Sequence, residues 1–163
     1  MKLVVTGRDA RGKSVFVRDG AALASLAFPD GGGFEELWVT KGRAPLADAD
    51  ALLEGFPFFP SAGDTRFRVV KLLPGYLDRA GDGAVAVPEL EADAPGMHTT
   101  DSIDFVVVLS GQVELELDDG VKRVVGAGDC VVQRATRHRW IPLGPEPLVM
   151  AVVMLGTPRE NAP

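Results

Sequence analysis

Hydrophobic and polar residues alternate strictly in Val113-Glu114-Leu115-Glu116-Leu117, the pattern of a strand with one buried face. Asp118-Asp119-Gly120 comes next, then Val121–Val125, so the two runs predict a hairpin turning at 118–120. Residues 65–73, 104–109, 130–133 and 148–155 are short runs rich in Val, Phe and Leu and also read as strands. From residue 65 onward turn signals recur roughly every eight to twelve residues, the rhythm of an all-β sandwich or barrel. Phe34–Thr40 (FEELWVT) predicts a further strand, while Gly31-Gly32-Gly33 reads as a loop and 55–63, with Pro57 and Pro60, as a connector. Helix is scarce: Ala47–Glu54 has room for two turns with Asp48 near its cap, and Ala21–Ala27 for one or two. The expected organisation is one structural domain. A β extension (1–60) packs on a β barrel (65–156), and a tail (157–163) ends the chain.

A chain of 163 residues fits one domain and hides about 68–70% of its unfolded surface, enough for a core without metal or disulfide. A net charge of −6 argues against nucleic acid, whose phosphates call for a basic patch. The clean apolar runs, 105–109 and 148–155 among them, are too short to cross a bilayer, and the first residues lack the apolar core of a signal peptide. The expected location is therefore the cytoplasm, away from membranes. Cys130 is the single cysteine, excludes an internal disulfide, and reads as a small strand hydrophobe.

Gly7-Arg8-Asp9-Ala10-Arg11-Gly12-Lys13-Ser14 matches the phosphate-cradling pattern G-x-x-x-x-G-K-[ST]. That chemistry needs a helix to start near Lys13, so that amides at its N-terminus hold the phosphates. Instead Val15-Phe16-Val17 continues the chain as a strand, and no α/β alternation appears later. The segment is expected to be a hairpin loop and not a nucleotide site.

The chain has two histidines. His98 shares strand parity with Thr100 and Asp104, and Val106 and Val108 continue that face towards the barrel interior, unless a turn at 101–103 breaks the register. His138 lies one hairpin further on. Two imidazoles and a carboxylate are a recognised open metal site, so His98, Asp104 and His138 are the candidate ligands.

His98-x-Thr100-x3-Asp104-x6-Gly111 resembles the first cupin motif, and Gly128-Asp129 leading to His138 resembles the second. Gln133-Arg134-Ala135-Thr136-Arg137-His138-Arg139-Trp140 is similar to a segment of small bacterial cupin-2 proteins. The resemblance implies a jelly-roll barrel of the cupin type (a double-stranded β-helix) and a divalent ion, Fe, Mn, Ni or Zn. It also implies a homodimer through the N-terminal extension. Two departures stand out: Thr100 occupies a histidine position, and Asp104 replaces glutamate with one methylene less reach.

Around this centre Thr100, Gln133 and Trp140 are expected to line a small-molecule pocket, joined by Arg134, Arg66 and Arg68, with Arg137 and Arg139 nearby. Phe34, Leu37 and Trp38 are expected to be structural. Two functions are compatible with this pattern. In one, a metal at His98, Asp104 and His138 acts on a small carboxylate-bearing or phenolic substrate as an oxygenase, isomerase or decarboxylase would. In the other, the same pocket binds or senses a small ligand without metal, and Asp104 pairs with Arg137 or a backbone amide.

Overall fold

The computed structural model describes residues 1–42, 44–45, 57–79 and 90–158. Its elements are strands: β1 (Lys2–Arg8), β2 (Ser14–Ala21), β3 (Ala24–Ala27), β4 (Gly33–Lys41), β5 (Ala44–Pro45) and β6 (Thr65–Leu72) in the first half. The second half holds β7 (Ser102–Ser110), β8 (Gln112–Glu116), β9 (Lys122–Gly126), β10 (Cys130–Arg134), β11 (Arg139–Leu143) and β12 (Leu148–Gly156). Two short 3-10 turns, Tyr76–Arg79 and Asp118–Gly120, complete the regular structure among the described residues. The fold is antiparallel all-β.

A large sheet runs β10-β7-β12-β6-β4-β3, with β5 on β4, and faces a smaller sheet ordered β11-β8-β9. The predicted hairpin is β8 and β9, and Asp119 takes the left-handed conformation at its turn (φ 57°). Val106, Val108, Val113, Leu148, Met150 and Val152 fill the space between the sheets. The tight link from β7 to β8 needs Gly111: its φ is 79°, and a Cβ there would lie 2.7 Å from the Pro147 carbonyl.

The N-terminal strands differ from expectation. Ala21–Ala27 is not helical: β2 ends at Ala21 and β3 pairs with β4, Leu26 opposite Phe34. Pairing with a ready strand overrides the helix propensity of its alanines. The extension does not merely rest on the barrel. β4 pairs with β6 and so carries the barrel's own sheet two strands further. Ala47–Glu54 lies outside the described residues. Gly7–Ser14 is the loop of the β1–β2 hairpin, where Asp9 Oδ1 accepts hydrogen bonds from the Arg11 and Lys13 amides. Cys130 sits on β10, exposed. Among the described residues no helix is long and apolar enough to cross a membrane.

Candidate small-molecule site

The register of β7 does not extend back to His98. The strand begins at Ser102, and the backbone of His98 instead pairs with that of His138. The His98 amide donates to the His138 carbonyl at 3.0 Å, and the His138 amide returns a bond of 2.9 Å to the His98 carbonyl. This isolated bridge brings the imidazoles together with ring centres 4.3 Å apart. Phe59 stacks on His98, and Trp140 meets the edge of His138.

Each Nδ1 lies 2.9 Å from a backbone carbonyl, Gly96 for His98 and Thr136 for His138. A carbonyl can only accept, so both Nδ1 atoms carry the proton. His138 is 2% exposed. Burial, reinforced by the neighbouring His98, holds its pKa down at about 4. At neutral pH it is an uncharged ring with a basic Nε2.

A second polar group comes from β4 and β6. Glu36 and Arg68 are direct cross-strand partners, and a bulge between Glu36 and Trp38 turns both Glu36 and Leu37 inward. Arg68 Nε donates to Glu36 Oε2 at 2.7 Å, and Arg66 Nε stands 4.0 Å from the same oxygen. Burial raises the Glu36 pKa against the pull of Arg68 and Arg66, and lowers that of Arg66 to about 10. The Arg68 guanidinium lies over Phe34 and Phe58, 4.4 and 4.9 Å from their ring centres. Asp104, on β7, accepts from Ser102 Oγ at 2.6 Å, and Thr100 Oγ1 lies 2.9 Å from that hydroxyl. Burial raises the Asp104 pKa, offset by the Ser102 bond and the Arg68 charge.

His98, His138, Asp104 and Arg68 line a cavity of about 360 Å³, a volume within the range of small-molecule sites. Aromatic rings form much of its wall: Phe28, Phe34, Phe58, Phe59, Tyr76 and Trp140. Val106, Met150, Val152 and Met154 supply apolar lining from β7 and β12. The Tyr76 hydroxyl donates to the Trp140 carbonyl at 2.8 Å and ties the 3-10 turn to β11.

Of the residues singled out in the sequence, His98, His138, Asp104, Trp140 and Arg68 line this cavity. Thr100, Gln133, Arg134 and Arg66 do not. Thr100 is buried in the Ser102 hydrogen-bond chain, and Gln133 turns to Thr136 Oγ1 at 2.7 Å. Arg134 ends β10 in solvent. Arg66 is fully buried, with Nη2 donating to the Pro57 carbonyl. Arg137 is not the partner of Asp104. It forms ion pairs with Glu91 and Asp118, holding the Glu91 pKa down. Phe34, expected to be structural, is a cavity wall. Glu36, Phe58, Phe59 and Tyr76 were not anticipated. A buried Glu inside an apolar strand, FEELWVT, was the available signal for the first.

His98, Asp104 and His138 do not assemble as metal ligands. Among the described residues no group of three or more His, Cys, Asp or Glu side chains is placed to hold an ion. The physical reason is the break before β7: the bridge fixes the histidines together, while Asp104 rides on the strand and is engaged by Ser102. The donor set in this arrangement does not fit the open two-histidine, one-carboxylate site.

Comparison with known proteins agrees with the fold. Residues 85–154 match the family Cupin_2, described as "Cupin domain". A protein of Aspergillus ruber named "Cupin-domain-containing oxidoreductase fogC" is 30% identical over 141 residues, covering 84% of this chain and 62% of that protein. "Phomopsin biosynthesis cluster protein C'" of Diaporthe leptostromiformis is 52% identical over 44 residues, 27% of this chain and 23% of its own. The chain thus spans less than two thirds of the length of these relatives. The cupin domain of Schizosaccharomyces pombe Cnp3 superposes with a TM-score of 0.52 at 14% identity, covering 95% of this chain and 87% of that one. Paired motif histidines, two facing antiparallel sheets and the matched segment 85–154 together identify a cupin-2 conserved barrel in this chain.

Proposed function

We propose that the cavity binds a small aromatic molecule without a resident metal, and that His138 Nε2 accepts a hydrogen bond from it. The observation that carries this reading is the fixed imidazole pair. Both Nδ1 atoms are committed to carbonyls, while Asp104 is engaged by the Ser102 hydroxyl. Carbonyl anchoring fixes ring orientation and tautomer, so the basic nitrogen of His138 is pre-aimed without reorganisation. A pKa of about 4 makes it a weak base that never competes as a cation with bound ligand. The aromatic wall supplies flat apolar surface for a ring of similar kind. Three fungal relatives bear "oxidoreductase" in their names. On that analogy the bound molecule is a substrate, and this chain contributes its positioning.

A thermal-shift panel of monocyclic phenols, with and without EDTA, tests this. Stabilisation that persists in EDTA and is lost in His138→Ala is expected. Stabilisation that appears only after a divalent ion is added back would contradict it.

The chain also acts as a homodimer in this reading. Val132, Phe105, Val153 and Phe67 form one cross-strand row over the outer face of the large sheet, largely exposed, and Phe16 on the β1–β2 hairpin is 77% exposed. Light scattering should give twice the chain mass for the wild type and the chain mass for Phe105→Asp. A monomeric wild type at tens of micromolar (~50 µM) would refute the dimer.

A further inference from the structure

Arg68 has donors it does not use. Its bond to Glu36 runs through Nε alone. Neither Nη atom makes a hydrogen bond, yet neither is among the fully enclosed unpartnered atoms. Since the residue is only 3% exposed and lines the cavity, the surface those nitrogens retain opens into the cavity. Asp104, although on the same wall, is not within ion-pair distance of it. The guanidinium is held from behind by Glu36 and laid against Phe34 and Phe58, so its free edge is presented rigidly. A buried guanidinium with two open donors favours a partner that fills both at once, and a carboxylate has the matching fork.

We propose that Arg68 is the anion anchor of this cavity and that the ligand is a small aromatic carboxylate. Its two oxygens meet the Arg68 Nη atoms, and its ring lies against the aromatic wall. This rests on the metal-free pocket described above and names its ligand class. Arg66 has no such role: it lies behind Glu36, outside the cavity, where it balances the charge that orients Arg68. The two arginines look alike in the sequence, and the sheet assigns them different tasks.

Titration calorimetry with benzoate and its neutral counterparts benzamide and methyl benzoate, in EDTA, separates the parts of this assignment. Wild-type protein should bind benzoate about tenfold to a hundredfold more tightly than benzamide, as charge-assisted hydrogen bonds imply. In Arg68→Met that ratio should fall to about one while benzamide binding persists, and Arg68→Lys should keep only part of it. Arg68→Met leaves Glu36 unpaired and can unfold, so Glu36→Gln/Arg68→Met, which removes both charges, is measured beside it and should show the same loss. Equal binding of benzoate and benzamide by the wild type, or a preference that survives both methionine variants, overturns the anchor and leaves the pocket standing. Failure of all three probes to bind the wild type overturns the anchor and the metal-free aromatic pocket together.

Discussion

Two polar clusters reach the cavity wall, built by different means. At one, two imidazoles are placed by a backbone bridge between segments that lie outside the strands, and each ring is pinned through Nδ1 to a carbonyl near it in sequence. At the other, Glu36, Arg66 and Arg68 are placed by strand register and a bulge, and they hold one another through charge. At the first end each ring is anchored by main chain and not by a charged side chain, so His138 can change without stranding an ion-pair partner. The second is a network in which every member depends on the rest.

The sharpest way to break this contrast is Glu36→Gln. It leaves the buried Arg68 guanidinium without its carboxylate and should cost about 3–5 kcal/mol of unfolding free energy by urea titration. His98→Asn, at the imidazole end, should cost clearly less. Equal losses would show that the two ends are held alike.

A smaller effect separates them by pH. Folded His138 holds its pKa at about 4, against 6.5 for the free side chain. Between those values the unfolded chain binds a proton that the folded chain refuses. The stability associated with His138 is complete above pH 6.5 and declines as pH falls towards 4. Glu36 and Asp104, with raised pKa values, act in the opposite sense: the folded form keeps their protons longer, so their contribution grows on acidification. Relative to His138→Asn, the wild type should therefore lose about 2–3 kcal/mol between about pH 7.5 and 4. A pH-independent difference would place His138 in solvent. The smallest expected effect is at Arg134, exposed at the end of β10: Arg134→Ala should alter stability by less than about 0.5 kcal/mol and leave ligand binding unchanged.

The two ends also differed in how much the sequence disclosed. The histidines fall at spaced motif positions, and alternation and turn residues outlined β7 to β12, so their meeting was legible from residue 98 onward. Asp104 lines the cavity with both histidines, as parity predicted, but the chain leaves strand geometry before Ser102, and Asp104 bonds to that hydroxyl. The guanidinium end was hardly visible. Glu36 and Arg68 lie 32 residues apart and become partners only through pairing of β4 with β6, which no local pattern specifies. Arg66 and Arg68 share parity, and what separates their roles is the bulge opposite them together with Pro57, whose carbonyl engages Arg66.

With only two histidines in the chain, a long-range ¹H–¹⁵N spectrum of the tag-free protein at neutral pH displays these two rings and no others. Both should carry their proton on Nδ1, with His138 Nε2 bare and its signal unchanged by EDTA. A proton on His138 Nε2, or a ring signal that shifts when EDTA strips an ion, would contradict the metal-free imidazole pair.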